Sequence, residues 1–131
     1  MKSLLIVMAL VEAATGLALL LAPSLPMLLL FDASFDAPAA PTVGRIAGAA
    51  LLVVGVACWL ARKDAASGLV AAMLLYNIAA VLLLAYAGTA SGRRGLGLWP
   101  AVVLHAALAI WCIAGLRSEV QGGKVLFPGG P

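Results

Sequence analysis

The chain has 131 residues, of which 65% are hydrophobic and only 10% are charged, and its mean hydropathy is +1.16. Soluble domains carry about 25% charged residues, so this composition excludes an ordinary soluble enzyme or receptor module and is typical of an integral membrane protein. The formal net charge of +3 comes from basic residues scattered along the chain. Because they form no basic stripe, they do not indicate nucleic-acid binding.

Four apolar stretches are long enough for transmembrane helices, which need about 20 predominantly apolar residues each. The sequence predicts spans at residues 3–22, 42–61, 66–88 and 96–116. The predicted fold class is therefore all-α: an integral membrane four-helix antiparallel bundle over residues 1–117, with almost no chain left for a soluble domain.

The first span follows Lys2 and also resembles a signal peptide. However, its apolar run is too long for a signal core, contains Glu12 and lacks a cleavage site of small residues before a polar segment. We therefore expect it to be retained as the first helix of the bundle. Pro23 and Pro26 predict its end, because proline interrupts helical hydrogen bonding.

The segment between the first two spans contains a second apolar run, residues 24–31, which is too short to cross a membrane. It predicts a short interfacial helix at the outer surface. Pro41 suits the first turn of the next helix. Within that helix Gly44, Gly48 and Gly55 share one face, which favours a tight contact with another helix of the same chain over a dimer interface.

The basic residues predict the orientation of the bundle. The four-span pattern places five of them on one side of the membrane and three on the other; the five are Lys2, Arg62, Lys63, Arg117 and Lys124. Basic residues are enriched in cytoplasmic loops, so we predict that both termini lie in the cytoplasm. The membrane is expected to be the inner membrane of a bacterium. Residues 118–131 are rich in glycine and proline and predict a disordered cytoplasmic tail.

Three spans carry a strongly polar side chain near mid-depth: Glu12, Asn77 and His105. At 1.5 Å rise per residue the three arrive within about one turn of the same level. Such groups normally face the bundle interior and pair with one another, so we expect a polar cluster. Tyr76 belongs to the candidate site as well, but it faces about 100° away from Asn77, so at most one of the two can point squarely at the centre.

Arg45 is the fifth candidate, near the outer end of the second span. It is expected either to anchor the helix at the interface, paired with Asp32 or Asp36, or to line the outer mouth of a cavity above the polar cluster. The cluster itself has two interpretations. It either joins the helices by hydrogen bonds or handles protons, since an unpaired carboxylate at mid-depth would take up a proton.

The sequence offers little for a metal or a cofactor. A membrane haem generally has two axial ligands. His105 is the single histidine, so the second ligand would have to be Met8 or Met73, or the haem would have to be shared between subunits. Copper bound by His105, Cys112 and a methionine is equally disfavoured, and neither Cys112 nor Cys58 belongs to a CxxC pair. No nucleophile–base arrangement is present. We therefore predict no catalytic residue, no metal and no cofactor.

The layout of polar residues resembles a known group. Glu12 in the first helix, the segment from Arg45 to Gly48 followed by Gly55 in the second, and a polar position in each later helix look like the small four-helix bacterial membrane proteins of the DoxX-like families. This resemblance implies a compact bundle of a kind that is often of unknown function or associated with membrane redox partners.

A second resemblance is to small multidrug transporters, which also carry a glutamate in the first of four helices, here Glu12. Those carriers have short loops and an aromatic-rich binding chamber. This chain has a nineteen-residue stretch from Pro23 to Pro41 and only three tryptophans, so it departs from their pattern.

The function predicted from the sequence is non-enzymatic. The protein is expected to bind a small hydrophobic molecule in a pocket closed by residues 24–31, or to act as an accessory subunit of a membrane complex. A proton-coupled small transporter working as a dimer through Glu12 is the alternative, and a membrane redox component is a further one. The expected partners are the lipid bilayer and a membrane protein or a second copy of the chain, and no nucleic acid.

Overall fold

A computed structural model of the chain describes residues 1–34, 37–64 and 66–125, without the side chains of residues 122–125. Within these ranges the fold is all-helical, as predicted. The helices are α1 (Lys2–Leu21), α2 (Ser24–Phe31), α3 (Ala40–Ala61), α4 (Ser67–Thr89) and α5 (Leu98–Val125). Four of them, α1, α3, α4 and α5, are long and apolar enough to cross a membrane, which suggests a multi-pass membrane protein.

The helix ends follow the local signals in the sequence. The N–H of Ala22 caps α1 by donating to the carbonyl of Ala18, and Pro23 then turns the chain into α2. Asp32 ends α2 in the left-handed conformation, with φ 49°, and its N–H donates to the carbonyl of Leu28. Pro41 lies in the first turn of α3, where its missing N–H costs no helical hydrogen bond.

The last helix is longer than the sequence predicts. α5 continues to Val125, past the predicted end of the fourth span at residue 116, so it includes residues 118–125 of the predicted tail. Arg117 and Glu119 are good helix formers, which favours continuation of the helix past the apolar span. The Ser118 hydroxyl donates to the carbonyl of Gly115 at 2.7 Å. The rest of the predicted tail, residues 126–131, lies outside the described residues.

α1 and α3 pack with their backbones in close contact. A Cβ atom placed on Gly16 would lie 2.6 Å from the backbone nitrogen of Leu52 and 2.7 Å from the carbonyl oxygen of Gly48. One on Gly55 would lie 2.9 Å from the backbone nitrogen of Ala13. Gly48 and Gly55 of α3 therefore serve an intramolecular helix contact, which confirms the prediction for these two glycines.

The other two spans, α4 and α5, form a second closely packed pair, and α1 contacts α5. All four spans contribute to a core of aliphatic and sulfur-containing side chains near the start of α1. Its largest members are Leu4, Leu5, Met8, Cys58, Val70, Met73, Leu108 and Cys112. Both cysteines are fully buried in this core as free thiols, in agreement with the prediction that they are packing residues.

The outside of the bundle is apolar, as expected for helices surrounded by lipid tails. Leu82, Leu83 and Val53 are about two-thirds exposed, with values of 65%, 70% and 68%. Near the end of α3 the guanidinium of Arg62 lies 3.9 Å from the ring centroid of Trp59 and donates a hydrogen bond to its carbonyl oxygen. An aromatic ring paired with a cation is common where a helix leaves the membrane.

α2 is held against two other parts of the chain, α1 and the turn before α5. The N–H of Gly97 donates to the carbonyl of Leu29 at 2.8 Å. At Gly95 the turn lies so close that a Cβ atom would overlap the backbone of Leu30. The short helix is therefore anchored to the bundle by backbone contacts and does not lie free on its surface.

Candidate functional site

A buried polar network joins three of the four spanning helices. Glu12 of α1 is 1% exposed and Asn77 of α4 is fully buried. The Tyr76 hydroxyl donates to Glu12 Oε2 at 3.0 Å, and His105 Nδ1 of α5 lies 2.8 Å from Asn77 Oδ1. The rings of Tyr76 and His105 meet edge to face, with centroids 5.8 Å apart. These four side chains form the polar network.

The geometry of α4 explains how one helix serves both neighbours. Tyr76 and Asn77 are adjacent and therefore point about 100° apart, so one side chain reaches α1 while the other reaches α5. Asn77 is the residue that faces the centre, and half-buried Tyr76 reaches in from the side. Asn77 contacts His105 directly, whereas Glu12 joins them through Tyr76, a link that the sequence analysis did not anticipate.

The hydrogen bonds of Asn77 define the state of His105. Asn77 Nδ2 donates to the carbonyl of Met73 at 2.7 Å, so the amide presents its oxygen to the imidazole. His105 must then donate from Nδ1, and in the neutral ring the lone pair lies on Nε2. The nitrogen that a metal would take is therefore Nε2, but the described part of the chain has no group of three His, Cys, Asp or Glu side chains able to hold a metal ion.

The Glu12 carboxyl group is only partly satisfied. Its Oε2 accepts from Tyr76, while Oε1 is buried and has no hydrogen-bond partner among the described residues. A buried polar atom without a partner costs about 1–3 kcal/mol. An ionised carboxylate at this depth would cost more, because no ion pair with a described cation compensates its charge. The group could therefore accept a hydrogen bond from a ligand or exchange a proton.

Arg45 does not join the polar network. Gly55 of α3 packs against the backbone of Ala9 and Ala13, which bracket Glu12, and Arg45 precedes Gly55 by ten residues. It therefore lies roughly 15 Å along the bundle from the level of Glu12. Its side chain is exposed and makes no hydrogen bond or ion pair with the described residues, so it does not pair with Asp32. The alternative partner, Asp36, lies outside the described residues.

A larger feature lies between α1, α2 and α3. It is an apolar groove of about 570 Å³, open on one side, which we call the α1–α2–α3 groove. One face of α3 carries the small residues Ala40, Gly44 and Ala47, whose short side chains leave room for the groove. The short helix α2 covers it. The lining consists of Thr15, Leu19, Pro26, Met27, Leu30, Phe31, Ala37, Ala39, Ala40, Val43, Gly44 and Ala47.

Comparison with protein-family models, curated proteins and solved structures finds no significant match. The resemblance to the DoxX-like families therefore stays a prediction, and the case for function depends on the polar network and the groove.

The groove is the feature that sequence reasoning described only in outline. The sequence predicts a pocket closed by residues 24–31 but does not identify the wall opposite them. A signal was present, because Ala40, Gly44 and Ala47 are small residues spaced four and three positions apart on one helical face. The glycine spacing of α3 predicts that Gly44 belongs to the tight helix contact, whereas in the structure Gly44 lines the groove.

Proposed function

We propose that this protein is a multi-pass protein of the bacterial inner membrane, with both termini in the cytoplasm, that binds a small hydrophobic molecule in the α1–α2–α3 groove. The observation that carries the proposal is the groove itself. Its volume of about 570 Å³ lies within the usual range of roughly 300–1,000 Å³ for small-molecule sites.

The lining of the groove supports an uncharged, apolar ligand. Met27 and Phe31 of α2 and Leu19 of α1 offer carbon surface, and Thr15 supplies the one side-chain hydroxyl of the lining. Burial of apolar surface is favourable by about 25 cal/mol per Å² when the ligand comes from water. For a ligand that is already dissolved in lipid, the favourable binding free energy would come instead from shape complementarity and close packing.

The position of α2 supports a role for it as the cover of the site. Pro23 lies between α1 and α2, and Pro26, Leu30 and Phe31 of α2 line the groove. Its backbone contact with the turn before α5, from Gly97 to Leu29, holds this cover in place. A ligand would therefore enter from the side that faces the lipid.

The experiment compares what the purified protein retains. Wild-type protein and two variants, Ala47→Leu and Ala49→Leu, are purified in the same detergent, extracted with organic solvent and examined by mass spectrometry for small molecules. Both alanines are exposed on α3, but Ala47 lines the groove and Ala49 does not, so the two variants add the same side chain at matched positions.

We expect an apolar compound that co-purifies with the wild type and with Ala49→Leu and is lost from Ala47→Leu. Retention by Ala47→Leu at the wild-type level would contradict the assignment to this groove. Absence of any compound from wild-type protein, compared with detergent processed in parallel, would contradict the proposed function as a whole.

A second candidate function is favoured by the unpartnered Oε1 of Glu12: proton-coupled transport by a dimer. A buried carboxyl group in a spanning helix is a common element of proton pathways. The hydrogen bond from the Tyr76 hydroxyl to Glu12 would change when the Glu12 carboxyl group gains or loses a proton.

Proton flux into liposomes, followed with an entrapped pH-sensitive dye, tests this candidate. Flux should vanish in Glu12→Gln and persist in Glu119→Gln, which makes the same change at an exposed position on α5. Equal flux in the two variants would exclude a role for Glu12.

A further inference from the structure

The opposite face of α2 lines a second groove with a different chemistry. This groove has a volume of about 460 Å³ and lies between α2 and the turn that precedes α5. Its walls are leucines, and one carboxylate and one guanidinium lie at its edge. We call it the Asp32–Arg94 groove; it is lined by Leu25, Leu28, Leu29, Asp32, Arg94, Gly95 and Leu96.

Backbone contacts hold the two charged residues in place. Asp32 is the residue that ends α2, and its own N–H is bonded to the carbonyl of Leu28 at 2.9 Å. Arg94 directly precedes Gly95, whose backbone packs on Leu30 of α2. No ion pair joins Asp32 to Arg94 in the described structure, and both side chains are exposed, so both are available to a ligand.

We propose that the Asp32–Arg94 groove binds a zwitterionic phospholipid whose head group carries a primary ammonium, phosphatidylethanolamine being the simplest case. The Arg94 guanidinium binds the phosphate through parallel charge-assisted hydrogen bonds. The ammonium lies against the Asp32 carboxylate at the carboxyl end of α2, where the helix dipole also favours a cation. One acyl chain follows the leucines.

Both the charges and the location select this ligand. The groove lies where α2 meets the turn between α4 and α5, beyond the ends of two spanning helices, which is the level of lipid head groups. A phosphatidylglycerol head group has no cation for Asp32 and brings its own negative charge beside that carboxylate. A choline head group has no N–H to donate. The groove should therefore prefer ethanolamine lipids over both, independently of any ligand in the α1–α2–α3 groove.

The test uses native mass spectrometry of the purified protein with equal amounts of the ethanolamine, choline and glycerol phospholipids of identical acyl chains. Wild-type protein is compared with Arg94→Gln, Arg93→Gln and Asp32→Asn. Arg93 is the matched control, because it is exposed, carries the same charge and does not line the groove. Asparagine tolerates the left-handed backbone of residue 32, so that change removes the charge without straining the chain.

We expect Arg94→Gln to weaken ethanolamine-lipid binding by about five- to ten-fold, and Arg93→Gln to change it by less than about two-fold. Asp32→Asn should remove the preference for ethanolamine over glycerol lipids while the protein stays folded, as judged by circular dichroism. Equal binding of the three lipids to the wild type would overturn the proposal. So would equal losses in Arg93→Gln and Arg94→Gln, because the effect would then reflect net charge instead of the groove.

Discussion

Replacing Gly16 by alanine should strongly destabilise the bundle, because this position lies where α1 and α3 are closest. The new Cβ would lie 2.6 Å from the backbone nitrogen of Leu52, 2.7 Å from the carbonyl oxygen of Gly48 and 3.1 Å from the Leu52 Cα. All three are backbone atoms. No side-chain rotation can therefore relieve the overlap, and the two helices must move apart.

The size of the effect follows from the distances. Ordinary van der Waals contact of a Cβ begins near 3.4 Å, so the helices must separate by about 0.8 Å at this point. A gap of 0.5–1 Å forfeits about a quarter to a half of the dispersion energy of each contact along the seam. Overpacking of this kind costs about 1–3 kcal/mol, and we expect the upper part of that range because backbone is affected on both sides.

The measurement is the free energy of unfolding of the purified protein in mixed micelles, titrated with sodium dodecyl sulfate and followed by circular dichroism. Gly68→Ala serves as the control, because a Cβ at Gly68, in the first turn of α4, would meet no atom within 4 Å. That variant should match the wild type or gain up to about 1 kcal/mol from reduced chain entropy. If Gly16→Ala and Gly68→Ala were equally stable, the close α1–α3 contact would be refuted.

Three further predictions concern orientation, the core and the polar network. Reporter fusions after Gly92 and at the C-terminus should report opposite sides of the membrane, with the C-terminus cytoplasmic; two reporters on one side would contradict the four-span arrangement. Cys58 and Cys112 are fully buried, so they should react with membrane-permeant thiol reagents and resist impermeant ones. Rapid labelling by an impermeant maleimide would show that the core is open to water. Glu12→Gln should keep the hydrogen bond to the hydroxyl of Tyr76 and leave the free energy of unfolding nearly unchanged. Glu12→Leu leaves that hydroxyl unsatisfied and should lower the free energy of unfolding by about 1–3 kcal/mol. Equal stability of the two variants would show that this hydrogen bond has no structural role.

The helices of this protein were predictable because their signals are local. Apolar length marks the spans, Pro23 and Pro41 mark two boundaries, and the predicted starts of the spans and the bounds of α2 agree with the structure within two residues. The depth of Glu12, Asn77 and His105 is equally local, since it depends only on the rise per residue along each helix. Their burial then follows from the cost of exposing polar groups to lipid, and the structure confirms it for Glu12 and Asn77.

The partners within the bundle depend on which helix lies beside which, and the sequence pattern leaves that open. The pairing of α4 with α5 brings Asn77 to His105, and the packing of that pair against the α1–α3 pair brings Tyr76 to Glu12. The pairing of α1 with α3 places Gly55 at the level of Glu12, and Arg45 lies about ten residues before Gly55 along α3. Rise and periodicity give a side chain its depth and its direction on its own helix, but contacts between helices are set by backbone packing at positions such as Gly16. Only the tertiary structure therefore decided the hydrogen bonds of the network and the two grooves beside α2.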